Sequence, residues 1–172
     1  IDYHNVVLIE SFLPFLHSFN IFIMTFYSIV NQSNDIAKLL FESFDKIEYP
    51  LNYLRQLQTV QVKDITKFKF HSIVQSSLKE KFDKNVVALE FSLISDNLEF
   101  LKYVISRSLN VKETTFKSLL HFSKIQGIVL TKSLKFLLNL AFKSFSENQI
   151  FLLFDAFKLA NQSHILLFIF EE

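Results

Sequence analysis

The chain has 172 residues, half of them hydrophobic and 22 of them Phe, which is enough for one domain with a sizeable apolar core. One Gly and two Pro are too few for the tight turns of β-sandwiches, β-barrels and nucleotide-binding α/β folds, whereas helices joined by short links need little of either. The absence of Cys excludes disulfides, thiolate metal sites and a Cys nucleophile. Because the sequence begins with Ile1 and ends without a helix-capping signal, we expect a longer parent protein.

The net charge of +1 is unevenly distributed along the chain. Residues 1–57 carry three basic and six acidic side chains, whereas residues 58–172 carry fifteen and eleven. We therefore predict two segments of one solenoid, with apolar helix pairs in 1–57 and a basic helical-repeat segment in 58–172. Residues 102–143 contain eight basic side chains and one acidic one, a net +7 that attracts a polyanion, although a solvated lysine-rich face produces the same pattern.

The first notable element is residues 11–34, which contain no carboxylate, Lys or Arg. The run is long enough to cross a bilayer, which takes about 20 apolar residues. Pro14 within the run, its several polar side chains and the lack of basic flanks instead favour two shorter buried helices that break near Ser18 to Asn20.

A short helix is predicted next, capped by Asn34 and ended by Tyr49-Pro50, because the residue before Pro avoids helical backbone angles. Residues 58–71 alternate apolar and polar side chains as a hairpin does, but their apolar side chains fit a helical face about equally well. We favour a helix over about residues 64–81.

Apolar residues recur at helical spacing from residue 85 to residue 145, which predicts four helices separated by short turns. Three stripes are predicted to be buried: Leu134, Leu137, Leu138, Ala141 and Phe145; Leu98, Leu101, Ile105 and Leu109; and Phe116, Leu119, Leu120 and Ser123. Residues 148–172 add a further pair, with faces on Ile150, Leu153, Phe154 and Phe157 and on Ile165, Phe168 and Ile169.

The second helices of successive pairs are predicted to start about 30 to 35 residues apart, near Asn34, Asp64, Asn97, Lys132 and Gln162. Helix pairs repeated at this interval bury their apolar stripes only against their neighbours. We therefore predict an all-α right-handed solenoid of about five stacked helix pairs.

From Asn110 the chain reads NVKETTFKSLLHFSKIQG, which resembles the junction and first helix of a pentatricopeptide repeat. Glu113 takes the acidic place at which one repeat of that family ends. The places with which the next repeat opens are taken by Thr115, Phe116, Leu119 and Leu120.

The resemblance covers roughly residues 85–172 and implies a solenoid that binds single-stranded RNA in an organelle. It further implies that the fifth and last residues of the repeat, Ser118 and Asn148, read one base, whereas an exposed Ser and a helix-capping Asn are the structural alternative. The basic strip would contact the phosphates, through Lys102, Lys117, Lys124, Lys135 and Lys143.

Two other segments resemble the second helix and turn of an ankyrin repeat, a scaffold for protein–protein interactions. They are DNLEFLKYVISRSLNV, which begins at Asp96, and NDIAKLLFES, which begins at Asn34. The TPLH opening of that family is absent, and so are its turn glycines apart from Gly127, so the resemblance ranks second. An armadillo-like, HEAT-like or irregular stack of helices is a further alternative.

No motif for a reactive centre is present in the sequence. The five His are far apart without an i, i+4 pair, and a single Gly cannot supply a phosphate-binding loop or a nucleophile elbow. Asp96 and Glu99 are better explained as helix-start residues than as a catalytic carboxylate pair. The Phe residues lie in apolar stripes and are interpreted as core rather than as stacking platforms for bases.

We therefore expect a non-enzymatic binding module with no cofactor, no metal and no small-molecule substrate. The leading prediction is pentatricopeptide-like binding of single-stranded RNA in an organelle, the mitochondrion in particular. The alternative is a protein–protein scaffold of ankyrin or HEAT type within a larger complex. A third interpretation is a membrane-anchored subunit that uses residues 11–34 as its anchor.

Overall fold

The structure, a computed structural model, describes residues 3–44, 83–125 and 128–171, and every regular element in these ranges is a helix. The all-α prediction is therefore confirmed for the described residues. The chain divides into two compact units, Ile1–Lys84 and Asn85–Glu172. The segment boundary predicted after residue 57, the choice between hairpin and helix at 58–71, the helix end at Tyr49-Pro50 and the helix start near Asp64 lie outside the described residues.

In the first unit the described elements are α1 (Tyr3–Phe12), a 3-10 turn (Leu13–Phe15), α2 (Ser18–Val30) and α3 (Asn34–Glu42). Helix α3 packs against both α1 and α2. The buried core of this unit is aromatic and aliphatic and includes Phe22, Phe26, Ile29, Leu40 and Phe41.

The uncharged run from residue 11 to residue 34 is divided among several short helices rather than forming one. Pro14 lies in the 3-10 turn, where its missing N–H is tolerated, and Leu16 is extended. Helix α2 has 13 residues and therefore rises only about 20 Å, less than the ~30 Å of a bilayer core. The prediction of shorter helices is confirmed, but the break was misplaced: it lies between Leu13 and His17, and Ser18 to Asn20 form the first turn of α2. The start of the run is not buried, because Phe12 and Phe15 are exposed. No helix in the described part of the chain is long and apolar enough to cross a membrane.

The second unit contains the helices that position the candidate site: α4 (Lys84–Ser95, whose first residue belongs to the first unit), α5 (Leu98–Arg107), α6 (Val111–Ser123), α7 (Lys132–Ser144), α8 (Glu147–Leu159) and α9 (Ser163–Glu171). Four of the predicted second-helix starts are confirmed to within one residue, at α3, α5, α7 and α9. The predicted cap at Asn34 is off by one, because Ser33 precedes the first residue of α3.

Three turns of the same kind end α2, α4 and α8. Their central residues, Gln32, Asp96 and Asn161, have φ values of 56°, 51° and 56°, in the left-handed region that Gly usually occupies. The N–H of the next residue donates to the carbonyl five residues back in each case, for example from Asn97 to Ser92 at 2.9 Å. This is the hydrogen bond of a Schellman motif, here built without glycine, so a chain with one Gly can still turn sharply between helices.

Within the second unit, α4, α6 and α8 contact one another in succession, and α5, α7 and α9 do the same. Ser118 and His121 on α6 face Val86 and Glu90 on α4, in the same order along both helices, so α4 and α6 run parallel. Helix α6 also packs against α8, and α5 against α7. The turn after α4 supports the start of α7, since Asp96 Oδ1 accepts a 2.8 Å hydrogen bond from the N–H of Ser133.

The best predicted stripe is confirmed in its main part, because Leu134, Leu137, Leu138 and Ala141 are buried. Phe145 lies just beyond the end of α7 and is half-buried. Leu109 was predicted on the buried face of α5, which is wrong: the helix ends at Arg107, and Leu109 is fully exposed in the following turn.

Candidate binding groove

A groove opens between the carboxyl-terminal halves of α6 and α8. Its volume is about 640 Å³, and it is lined by Leu120, Ser123, Lys124, Ile125, Ala156, Leu159, Ala160 and Asn161. The lining is predominantly apolar, and Lys124 supplies its charged group. A concave, apolar surface with a few polar groups is the usual form of a protein binding site.

The sequence builds this groove from residues one helical turn apart. Lys124, the C-cap of α6, follows Leu120 by four residues, and Leu159 follows Ala156 by three on α8, so each pair lies on one side of its helix. Leu159 is 88% exposed although it is a large apolar side chain. The small side chain of Ala156 leaves room between the two helices, which is why a groove rather than a filled interface forms here.

The base of the groove is held by a buried glutamine. Gln162, which follows the turn after α8, donates from Nε2 to the carbonyls of Ser123 at 3.0 Å and Ile125 at 3.1 Å. The carbonyl of Ser123 belongs to the last turn of α6 and that of Ile125 to the turn that follows, where backbone acceptors have no partner within the helix. The side chain of Gln162 therefore supplies hydrogen bonds to backbone carbonyls at the end of α6 and fixes the distance between α6 and α8.

The five lysines predicted to bind phosphates are all exposed, but they do not share one groove. Lys102 lies 5.2 Å from the ring centroid of Phe136, and Lys135 lies 5.7 Å from that of Phe168. Lys102 is on α5 and Lys135 on α7, and cation–π attraction holds them against α7 and α9 respectively.

Lys117, Lys124 and Lys143 lie elsewhere on the second unit. Lys117 forms an ion pair with Glu113 at 2.6 Å on the surface of α6. Lys143 is in the last turn of α7. Of the five lysines, Lys124 is the one that lines the groove.

The assignment of Ser118 as a base-reading residue is corrected by the structure. Its hydroxyl donates to the carbonyl of Thr114 at 2.8 Å, lies 3.3 Å from the carbonyl of Val86, and has no exposed surface. A residue in the α4–α6 interface cannot contact a base without opening that interface. Asn148 is exposed in the first turn of α8, so the two residues are not brought together on one surface.

One buried polar pair in the same interface was not predicted from the sequence. Oε1 of Glu90 lies 2.9 Å from Nδ1 of His121, and both side chains are largely buried. The available signal was a single carboxylate inside the apolar run VVALEFSLI, which requires a polar partner from another helix. In the part of the chain that the structure describes, no group of three or more His, Asp or Glu side chains is placed to hold a metal ion.

Comparison of the chain with models of protein families, with curated proteins and with solved structures finds no match. The functional proposal therefore rests on the groove and on the packing of the helices around it.

Proposed function

We propose that residues 85–172 form a solenoid of three stacked helix pairs that binds a protein partner, and that the partner is a short acidic amphipathic segment. The pairs are α4–α5, α6–α7 and α8–α9. The observation that carries the proposal is the apolar groove between two successive first helices, with Lys124 at its edge.

The packing within the second unit supports the solenoid. The first helices α4, α6 and α8 follow one another through direct contacts, and Lys102 and Lys135 link the second helices in the same succession. In a stacked array each pair contacts its neighbours, and the surface between successive helices is open to ligands. The groove between α6 and α8 is one such surface.

The chemistry of the groove defines the partner. Leu120 and Leu159 offer apolar surface that an apolar side chain of the partner would remove from water. A carboxylate one helical turn from that side chain would pair with Lys124. Residues 102–143 carry a net charge of +7, which would speed association with an acidic segment and disfavour a basic one. An amphipathic helix lying in a groove is a common way in which proteins recognise peptides.

The same features favour a protein partner over the RNA predicted from the pentatricopeptide resemblance. Among the residues that the structure describes, no aromatic ring lines the groove, although stacking on aromatic rings supplies much of the affinity for single-stranded nucleic acid. Ser118 is inaccessible, and Lys117 is engaged with Glu113. RNA binding and an organellar, mitochondrial location stay predictions from the sequence.

A selection from a random peptide library on the whole 172-residue chain tests the proposal. We expect the selected peptides to combine apolar residues with Asp or Glu at helical spacing. Binding should be lost with Leu159→Glu, which places a charge in the groove, and retained with Leu109→Glu, which makes the same change at a fully exposed position outside it.

Two outcomes would overturn the proposal. Selected peptides that bind the Leu159→Glu variant as well as the unchanged chain would place the binding surface elsewhere. Salt-dependent retention of a single-stranded RNA oligonucleotide, with no peptide selected, would restore the RNA hypothesis.

A further inference from the structure

The peptide groove continues along α8 towards the start of that helix. Ala156 and Leu159 line the groove, and Leu152 precedes them by four and seven residues, so all three lie on one side of α8. Leu152 is 55% exposed although it is a large apolar side chain. The distance from Leu152 to Leu159 along the helix axis is about 10 Å, or two turns. A partner helix that contacts Leu159 can therefore contact Leu152 as well.

The charges along this surface differ from one end to the other. Lys124 lines the groove together with Leu159. Asp155 is exposed between the two leucines of α8, three residues after the first and four before the second, so a carboxylate of the partner is repelled there. On α6, Lys117 lies two turns before Lys124 and is paired with Glu113. The acidic residues of the partner therefore belong at the Lys124 end, and a basic or neutral residue belongs opposite Asp155.

Two helix ends meet at the groove. Lys124 is the C-cap of α6 and Ala160 is the C-cap of α8, and both residues line the groove. The carboxyl-terminal end of a helix carries a partial negative charge, which attracts the positive amino-terminal end of another helix. An acidic residue is also more stable in the first turn of a helix than in the last. Both effects place the amino-terminal turn of the partner helix at Lys124.

We infer that the partner segment lies antiparallel to α8, with an acidic first turn at Lys124, an apolar residue on Leu159 and a second apolar residue, seven positions later, on Leu152. The inference rests on the proposed function and adds the direction and the residue pattern of the peptide that the groove binds. The position between the two apolar residues takes Lys, Arg or a neutral residue, because it faces Asp155. This pattern distinguishes the partner from acidic segments in general.

A synthetic helical peptide of about 15 residues tests the inference on the whole 172-residue chain. In an Ala-rich sequence with blocked ends, it carries Glu in the first turn, two Leu seven positions apart and Lys between them. Fluorescence anisotropy of the labelled peptide gives its dissociation constant. Leu152→Glu should raise that constant by at least about tenfold, because it replaces an apolar contact by a desolvated charge. Phe151→Glu should leave it unchanged, since this neighbouring exposed residue points about 100° away around the helix.

The residue between the two leucines of the peptide tests the role of Asp155. Replacing that Lys by Glu should weaken binding to the unchanged chain by about two- to fivefold, as expected for an exposed charge pair. Asp155→Lys should reverse the preference, so that the peptide with the central Glu binds more tightly. A preference that survives Asp155→Lys would show that this residue does not face the peptide, contrary to the inferred arrangement.

Coupling between Lys124 and the peptide then identifies the direction of the peptide. Lys124→Gln and the replacement of the first-turn Glu of the peptide by Gln should be non-additive, because two groups in contact lose the same interaction. A matched peptide that carries its Glu in the last turn should show no coupling to Lys124. The coupling is obtained within each peptide's own cycle of variants, so a difference in helix content between the two peptides does not produce it.

Three results would contradict the inference and leave the groove in place. Binding could be lost with Leu159→Glu but kept with Leu152→Glu, Lys124 could couple to the last-turn Glu instead of the first-turn Glu, or a peptide of this pattern could fail to bind while peptides from the library bind. If library peptides bind the Leu159→Glu variant as well as the unchanged chain, the proposed function fails, and the inference fails with it.

Discussion

Oε1 of Glu90 and Nδ1 of His121 lie 2.9 Å apart in the interface between α4 and α6. Glu90 is 1% exposed and sits within eight consecutive buried residues of α4, so the pair is enclosed by apolar side chains. A buried polar group left without its partner is destabilising by far more than an exposed one. The pair thus fixes which face of α6 meets α4.

His121→Ala is therefore expected to lower the free energy of unfolding by about 1–3 kcal/mol, because it leaves the Glu90 carboxyl group buried with one partner fewer. The double change Glu90→Leu with His121→Leu should recover most of that loss, since it removes both polar groups together. Urea denaturation monitored by circular dichroism measures the stability of the single and the double variant, with Lys112→Ala as a control at an exposed position on α6. A single variant as stable as the unchanged chain would show that the interface opens readily to water.

Two turns of identical backbone geometry should respond differently to glycine. The backbone of Gln32 is strained at φ 56°. Gln32→Gly should raise the free energy of unfolding by about 0.5–1 kcal/mol, because the relief of this strain exceeds the cost of the greater entropy that Gly gives to the unfolded chain. Asp96 at φ 51° also caps the start of α7, so Asp96→Gly should lower it by about 1 kcal/mol through the lost hydrogen bond to Ser133.

The measurement is the urea midpoint of each variant, read with circular dichroism. Asp96→Asn serves as the control for the second turn, because Asn tolerates left-handed backbone angles and keeps a side-chain oxygen for Ser133. Equal gains from both Gly substitutions would mean that the Asp96–Ser133 hydrogen bond contributes nothing.

Leu137→Ala tests the core of the second unit. Leu137 has no exposed surface at the centre of α7, so the truncation should create a cavity and destabilise the protein by about 2–5 kcal/mol. Leu109→Ala removes the same atoms from a fully exposed position and should change stability by less than about 0.5 kcal/mol. A loss from Leu137→Ala as small as that of the control would place α7 with its other face towards the core.

Helix positions were predictable because they follow from local patterns. The starts of α5, α7 and α9 were predicted from apolar periodicity and a regular interval of about 30 to 35 residues, and the burial of Leu134, Leu137 and Leu138 from spacing alone. Leu109 was wrongly predicted to be buried because it continues the four-residue spacing of Leu101 and Ile105. Helix α5 ends at Arg107, and spacing alone does not show where a helix ends.

The site was less predictable because it depends on contacts between distant residues. Ser118 was assigned to a ligand from its place in a repeat pattern, yet its side chain points to Val86, 32 residues earlier in the chain. The groove arises from the distance between α6 and α8, which Gln162 sets from beyond both helices. No property of Leu120 or Leu159 in the sequence distinguishes a groove from a filled interface.

The last prediction separates the two classes of partner by the lysines that each would use. For an acidic amphipathic peptide in the groove, Lys124→Glu should weaken binding by about tenfold, since it replaces an attractive contact by a repulsive one. Lys102→Glu, at an exposed lysine of α5 held over Phe136 and outside the groove, should have little effect on the affinity for the peptide. For single-stranded RNA, the triple change of Lys117, Lys124 and Lys135 to Glu should instead weaken binding severely, because each lysine would contact the phosphates. Each lysine should contribute about one unit to the slope of log affinity against log salt concentration. Fluorescence anisotropy with a labelled peptide taken from the library and a labelled oligonucleotide, each titrated at several salt concentrations, gives both slopes. Equal weakening of the peptide by Lys102→Glu and Lys124→Glu would show that charge alone, and not the groove, holds it.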